Sequence, residues 1–289
     1  MKGPVGIVGV GNMGGGMAAN LLARGWAVQV CDLDASRVRD LVAQGAVGCA
    51  TPAAASANGA TLIVCVVDAA QSADILFGEA GAVAALRRGG TVVLCPTISP
   101  QDVEALSARL LDLGIDTVDA PMSGGPSRAR DGSMSLMVAC TDAVFARQQA
   151  LLEALSSKLF RISERPGDGA RTKLVNNLLA GINLSGAAEA MAMAQAMGLD
   201  LATTLDVIEQ SSGQSWIGSD RMRRALAGDY APRAHVTLLE KDTRLAVEAA
   251  AAAGFAGPLG AHAARVFARA HEAGFAAEDD AALFKLLQT

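Results

Sequence analysis

Aromatic residues are scarce in this sequence, 3% of 289 residues, with one tyrosine and two tryptophans. A core built on large rings is therefore excluded. Burial must rest on Ala, Val and Leu, which suits helices whose backbones approach closely. Histidine is nearly as rare, and His235, His262 and His271 show no ligand spacing, so no metal centre is expected. The five cysteines, Cys31, Cys49, Cys65, Cys95 and Cys140, are odd in number and never spaced C-x-x-C. They read as free core thiols rather than a disulfide framework. Basic residues are not in surplus: 24 Lys and Arg face 29 Asp and Glu, a net charge of -5. Nucleic acid and anionic membrane surfaces are accordingly not expected as partners. A long charge-free apolar run is missing too. The most apolar late stretch, residues 174–197, contains Asn176, Asn177, Asn183, Glu189 and Gln195, and reads as a buried helix rather than a membrane span. The N-terminus shows neither an h-region nor a cleavage site, so a soluble, cytoplasmic chain is expected.

What is present suffices for two folded domains. Hydrophobic residues make up 51% of the chain, and its length is comfortable for two cores. The first half alternates short apolar runs with helical segments. Strands are expected at 5–8, 27–31, 61–67, 91–94 and 115–119, with a helix over 13–24. Ser99-Pro100 opens another helix, serine as N-cap and proline at the first helical position, and Gly114 ends it. Such alternation implies a parallel sheet covered by helices on both faces. Strands at 135–140 and 158–162, around a helix starting near Asp142, complete this half. After Gly167-Asp168-Gly169 the strand signals stop, and helices run on, punctuated at Gly198, Gly213, Gly228, Gly254, Gly257-Pro258 and Gly274. The boundary is placed near Arg165, giving an α/β domain over 1–165 and an all-helical domain over 166–289.

Gly9-Val10-Gly11-Asn12-Met13-Gly14 is a G-x-G-x-x-G directly after a strand and at the start of a helix. The first glycine permits the tight turn and the second lets backbone approach a pyrophosphate. The third lets helix pack on strand, with the anion at the helix N-terminus. In this βαβ context the pattern predicts a Rossmann dinucleotide site. The next strand ends in Asp32, eighteen residues after Gly14. A carboxylate there accepts from ribose hydroxyls and repels a ribose phosphate, which favours NAD over NADP. The plainer alternative makes Asp32 a helix-capping residue beside Asp34, and Arg37 leaves some NADP tolerance open. Leu33 and Val67 are further expected on the cofactor side.

Two more segments carry candidate chemistry. In Asp119-Ala120-Pro121-Met122-Ser123-Gly124-Gly125, the hydroxyl and successive backbone N–H groups suit a carboxylate, although a flexible loop would read the same way. In Gly169-Ala170-Arg171-Thr172-Lys173-Leu174-Val175-Asn176-Asn177, residues 173, 176 and 177 share one helix face. Apolar flanks turn that face into protein, and the positive helix terminus opposes a cation there. Both effects work against the ammonium form, as a lysine acid/base requires. The alternative is a solvated first-turn lysine, with the asparagines serving helix packing. Lys241-Asp242, amid apolar neighbours, reads by itself as a structural ion pair.

Taken together, GVGNMG at Gly9, DAPMSGG at Asp119, GARTKLVNN at Gly169 and LEKD at Leu239 resemble the β-hydroxyacid dehydrogenase family, over essentially the whole chain. The family includes 3-hydroxyisobutyrate dehydrogenases and tartronate semialdehyde reductases. The resemblance implies an N-terminal Rossmann domain, a long interdomain helix and an all-α C-terminal domain, assembled as a homodimer or homotetramer. It implies NAD as cofactor and a small carboxylate as substrate. Ser123, Gly124 and Gly125 would then grip the carboxylate, Lys173 would be the acid/base and Asn177 its substrate-binding companion. Lys241, with Asp242 beside it, and Thr97 would lie near the nicotinamide. Asp68 to Gln71, 176–181, Ser215-Trp216, Asp229-Tyr230 and Glu278 to Asp280 are similar to the L-threonate dehydrogenase branch, which oxidises the C2 hydroxyl of a four-carbon sugar acid. Arg128 departs from the glycine or lysine of many relatives; it either pairs at the surface or biases the pocket toward a more acidic substrate. An imine reductase would lack Lys173, and a 6-phosphogluconate dehydrogenase would need a longer C-terminal domain. A non-catalytic cofactor-binding module would have lost the lysine.

Overall fold

A computed structural model describes residues 2–288. The chain divides into two compact units, one up to Lys173 and one from Leu174 onward.

The first unit is built on a sheet of nine strands. In chain order its elements are β1 (Lys2–Val8), α1 (Asn12–Ala23), β2 (Trp26–Cys31), α2 (Ala35–Val42), β3 (Val47–Gly48), α3 (Pro52–Ser56), β4 (Thr61–Val64), α4 (Ala69–Phe77), β5 (Thr91–Leu94), α5 (Pro100–Asp112) and β6 (Asp116–Asp119). Then come β7 (Met122–Ser123), α6 (Gly125–Asp131), β8 (Met134–Ala139), α7 (Asp142–Leu155) and β9 (Ser156–Ser163). The strand order is β3-β2-β1-β4-β5-β6-β8-β7, with β9 on β8. β3 through β6 along that path are parallel, as βαβ alternation demands.

Period-two alternation explains the core. Ile7, Val30, Ile63, Val93 and Val118 point to one face and bury against Met17 and Leu21 of α1 and Leu151 and Leu152 of α7. Val8, Leu62, Val64, Val92 and Leu94 point to the other and meet Leu76, Leu106 and Leu110. Each such side chain contributes about 1.5–3 kcal/mol when fully buried. That is why these strands read as continuous apolar runs rather than as half-polar ones.

The far edge departs from the expected all-parallel sheet. β8 runs antiparallel to β6 and β7 and parallel to β9. The chain turns back through the short α6, which ends at Gly132 in the left-handed conformation (φ +76°), so β8 returns without a full crossover helix between it and β7. The strand read over 61–67 stops at Val64 because Asp68 caps α4. The helix expected from Ser99 forms as read: the Ser99 hydroxyl accepts the Asp102 N–H at 3.0 Å.

The long helix α8 (Asp168–Ala196) begins in the first unit and carries on into the second. The second unit adds α9 (Leu201–Glu209), α10 (Trp216–Leu226), α11 (Val236–Ala252), α12 (Pro258–Ala270) and α13 (Leu283–Leu287). Its core gathers Leu184, Ala188 and Met191 of α8 with Met222, Leu239, Phe267, Leu283 and Phe284. Glycines 198, 228, 254 and 274 end helices at positive φ, and Gly257 with Pro258 opens α12. Among the described residues, no helix is long and apolar enough to cross a membrane.

Candidate active site

In the first unit, the residues after the carboxyl ends of the parallel strands lie together along one edge of the sheet, where open α/β sheets hold ligands. Gly9 follows β1, Asp32 follows β2, Val67 lies beyond β4, Thr97 beyond β5 and Ala120 beyond β6.

The glycine loop has the shape a dinucleotide requires. Gly9 sits at φ +88°, and a methyl on it would strike the Cys65 carbonyl oxygen at 2.3 Å. A Cβ on Gly14 would fall 1.9 Å from the Gly9 oxygen, so only glycine lets α1 start so close to β1. The N-cap of α1, Gly11, offers no side-chain cap, and the first turn carries no acid. Its N–H groups are thus left for an anion. Beneath the loop, burial pushes the Cys65 thiol up to about 12, so this wall stays neutral.

Asp32 does two things at once. One carboxylate oxygen accepts the Val10 N–H at 2.7 Å and the other accepts the Asp34 N–H at 2.8 Å. The capping role belongs instead to Asp34, which accepts from Ser36 at the start of α2. Leu33 is fully exposed beside it, and Val67 is half-exposed. Arg37, which leaves some NADP tolerance open on sequence grounds, has its Nη1 3.0 Å from where a Gly11 Cβ would be, and its Nε pairs with Asp34 at 3.3 Å. A guanidinium therefore leans over the pyrophosphate loop. The donor set, backbone N–H groups at the start of α1 plus a carboxylate at the end of β2, fits NAD.

Asp68 to Gln71, similar to one branch of the family, proves to be a capping arrangement. Asp68 accepts the Gln71 N–H at 2.8 Å, and the Gln71 side chain accepts the Val67 N–H at 3.0 Å. It fixes the backbone at the cofactor side of β4.

Ser123 closes β7 and is held by its pairing with Ser135 of β8. Gly124 (φ +140°) and Gly125 (φ +75°) then turn the chain into α6. Arg128 packs over this turn: a Cβ on Gly124 would lie 2.8 Å from its Cδ. The buried Asp119, which sequence reading placed in a motif without a role, accepts the N–H groups of Gly167 at 2.8 Å and Ala170 at 3.1 Å. Burial raises its pKa to about 6 despite these donors. One turn beyond Ala170, Lys173 is buried, 8% exposed.

In the second unit, Asn177 is also buried and donates from Nδ2 to an Asp242 oxygen at 2.6 Å, while Asn176 donates to the Asn177 carbonyl at 3.0 Å. The other Asp242 oxygen pairs with Lys241 at 3.0 Å. Asp242 is thus the hub joining α8 to α11, which the sequence presented only as a charged dipeptide. α8 and α11 come this close because Gly181 faces Thr243; a methyl there would lie 2.5 Å from Thr243 Cγ2. The start of α11 is set by Asp279, which accepts the N–H groups of Arg233 and Ala234 and the guanidinium of Arg224. Glu278 to Asp280 and Asp229 thereby act as framework around the helix that bears Lys241.

Known proteins place this architecture. Residues 4–163 match the family described as the NAD binding domain of 6-phosphogluconate dehydrogenase. Residues 167–287 match that described as NAD-binding of NADP-dependent 3-hydroxyisobutyrate dehydrogenase. The chain is 36% identical to an L-threonate dehydrogenase from Cupriavidus necator, covering 98% of this chain and 95% of that one. It is 36% identical to a 3-hydroxyisobutyrate dehydrogenase from Pseudomonas aeruginosa, over 91% and 90% respectively. The crystal structure of a 3-hydroxyisobutyrate dehydrogenase from Salmonella typhimurium superposes with a TM-score of 0.92 at 37% identity, covering 99% of this chain and all of that one. With the glycine loop, the acid after β2 and the helical second unit in place, the chain belongs to the β-hydroxyacid dehydrogenase family, NAD-dependent oxidoreductases of small hydroxy acids.

Proposed function

We propose that the chain oxidises a hydroxyl group of a small sugar acid of the L-threonate class, with Lys173 as the acid/base. The observation that carries this reading is the buried lysine on a helix tied, through Asp119, to the strand that leads into the Ser123 turn. Relatedness to L-threonate dehydrogenases across nearly the full chain supports the substrate class.

In this reading Gly9, Gly11, Asn12, Met13 and Gly14 hold the pyrophosphate, Asp32 and Leu33 the adenosine end, and Val67, Thr97 and Lys241 the nicotinamide end. NAD, when bound, supplies the acceptor for a hydride. Ser123, Gly124 and Gly125 bind the substrate carboxylate through a hydroxyl and backbone N–H groups. Asn177, one helical turn after Lys173, holds the reacting end, and Asp242 fixes the asparagine in one orientation through its 2.6 Å bond. Neutral Lys173 takes the proton from the substrate hydroxyl as the C–H bond gives up its electron pair, leaving a carbonyl; in reverse it returns that proton. The chain up to about residue 165 thus carries most of the cofactor contacts and the carboxylate-binding turn, and the chain from about residue 166 adds Lys173, Asn177, Lys241 and assembly.

The experiment is a panel of L-threonate, D-threonate, glycerate, serine and 3-hydroxyisobutyrate with NAD, followed by the appearance of reduced nicotinamide. L-threonate should give the highest kcat/KM. A clear preference for 3-hydroxyisobutyrate would favour the second reading, which the Pseudomonas aeruginosa relative supports. Substrate reduction favoured with tartronate semialdehyde would point to a reductase. Assembly as a homodimer or homotetramer is proposed from the apolar side chains that α8 leaves exposed, and a reducing, cytoplasmic setting from five free cysteines.

A further inference from the structure

Asp119 takes no part in the chemistry described above, yet it is 1% exposed and makes its bonds at the one place where the helix of Lys173 begins. Its Oδ2 accepts two N–H groups, from Gly167 and Ala170, at 2.8 and 3.1 Å. Gly169 is packed so tightly between this carboxyl and the Met137 carbonyl that a methyl would lie 2.9 and 2.7 Å from them. Four residues downstream of Asp119 is Ser123; four residues downstream of Gly169 is Lys173. The first is pinned independently by its pairing with β8. The second rides on the first turn of α8, whose start Asp119 holds.

We propose that Asp119 is a positioning residue for Lys173: by binding the first-turn N–H groups of α8 it sets the register of the acid/base against the carboxylate-binding turn. The proposal rests on the reading of Lys173 given above. A helix can be capped by many residues on its own loop. Here the cap comes instead from the end of a core strand 48 residues away, which makes helix position, and not merely helix stability, the quantity controlled. A displacement of the reacting group by about 1 Å is enough to cost about a hundredfold in rate. The charged and titratable groups facing Asp119 are Cys95 after β5, Cys140 after β8 and Asp168 on α8; Arg165 and Arg171 pair with Asp168. None of them supplies the missing acceptor if Asp119 is removed.

The test compares three substitutions. Asp119→Ala removes the acceptor, and Asp119→Glu moves it outward by a methylene. Asp119→Asn keeps one carbonyl oxygen for the Gly167 and Ala170 donors. Ala and Glu should lower kcat by about ten- to a hundredfold with KM for the hydroxy acid within about threefold, because Ser123 stays in place. Asn should restore kcat to within about threefold of wild type. Asp119→Ala on a Lys173→Met background should add less than about threefold, since the lysine it positions is gone. Should Asp119→Ala fail to fold, the folded Glu variant carries the test, with thermal melting to check each. A Glu variant with wild-type kcat overturns the proposal, as does an Asn variant no better than Ala or Glu. Losses that multiply fully in the double variant overturn it too. A Lys173→Met enzyme with wild-type kcat overturns the acid/base reading itself, a separate and recognisable result.

Discussion

The Val10 N–H donates to an Asp32 carboxylate oxygen at 2.7 Å, so the acid proposed to read the ribose also braces the glycine loop. Cofactor preference and loop geometry are therefore coupled. NAD should give a markedly higher kcat/KM than NADP. Asp32→Ala should narrow the gap from both sides: it removes repulsion toward a ribose phosphate and loosens the loop that NAD needs. Arg37, leaning over Gly11, is the cation available to that phosphate, so Arg37→Ala in the same background should lower NADP use again. Steady-state kinetics with both cofactors, and quenching of protein fluorescence for binding alone, measure this. A wild-type preference for NADP would refute it.

Asp242 holds Asn177 with one oxygen and Lys241 with the other. The charge-assisted bond to Asn177 is worth about 1.5–3 kcal/mol, and a buried partner left unmatched loses more. Asp242→Ala should raise KM for the hydroxy acid by about tenfold or more, as Asn177 loses the bond that fixes its orientation. An unchanged KM would remove Asn177 from the substrate's contacts.

The sheet and the cofactor loop were legible in the sequence because both rest on local rules. Strands buried on both faces show as apolar runs, and Gly9 and Gly14 stand where a side chain would collide with backbone. The Ser99-Pro100 helix start was legible for the same reason. What escaped was anything fixed by partners distant in the chain. Asp119 and Asp242 are short acidic side chains in a motif and a dipeptide; only the fold shows that one binds N–H groups 48 and 51 residues away and the other an asparagine 65 residues away. The antiparallel return of β8 escaped as well, since strand direction leaves no trace in hydropathy. Four branch-like segments turned out to serve helix caps and the Asp279 network, which sequence similarity alone would not separate from substrate contacts.

Helix α8 leaves Val175, Leu179 and Met193 exposed. Val175 and Met193 are eighteen residues apart, five full turns, and Leu179 lies one turn after Val175, which puts the three on one side of the helix. We expect this stripe to be covered by a second copy. Leu179→Glu with Met193→Glu should therefore reduce the molar mass to that of one chain in light scattering at micromolar concentration. A wild-type protein already monomeric there would count against the assembly.

Asp119 also sets a pH dependence of stability. Burial raises its carboxyl to about 6 from an unfolded value near 3.8, so the folded state holds the proton more tightly. Its contribution is fully present below the unfolded value and is lost as pH rises through about 6. Two units correspond to at most about 3 kcal/mol. Melting temperature should fall between pH 4 and pH 7 by more in wild type than in Asp119→Asn, which does not titrate. Parallel curves for the two proteins would assign the pH dependence elsewhere.

The chemistry itself separates into two kinds of loss. As the proposed acid/base, Lys173 would act only as the proton moves, so its removal should fall on the transition state. General acid–base catalysis is typically worth about a hundred- to ten-thousandfold, and Lys173→Met should lower kcat by roughly that factor with NAD affinity nearly intact. In the proposed site Ser123 would bind the carboxylate in the ground state and the transition state alike, so Ser123→Ala should raise KM and leave kcat nearly unchanged. The two variants thus move different constants, and a stopped-flow trace of reduced nicotinamide under single-turnover conditions reports the hydride step without product release. If Lys173→Met keeps a wild-type rate in that trace, the lysine does not carry the proton, and Lys241, already paired with Asp242 on α11, becomes the group to substitute next.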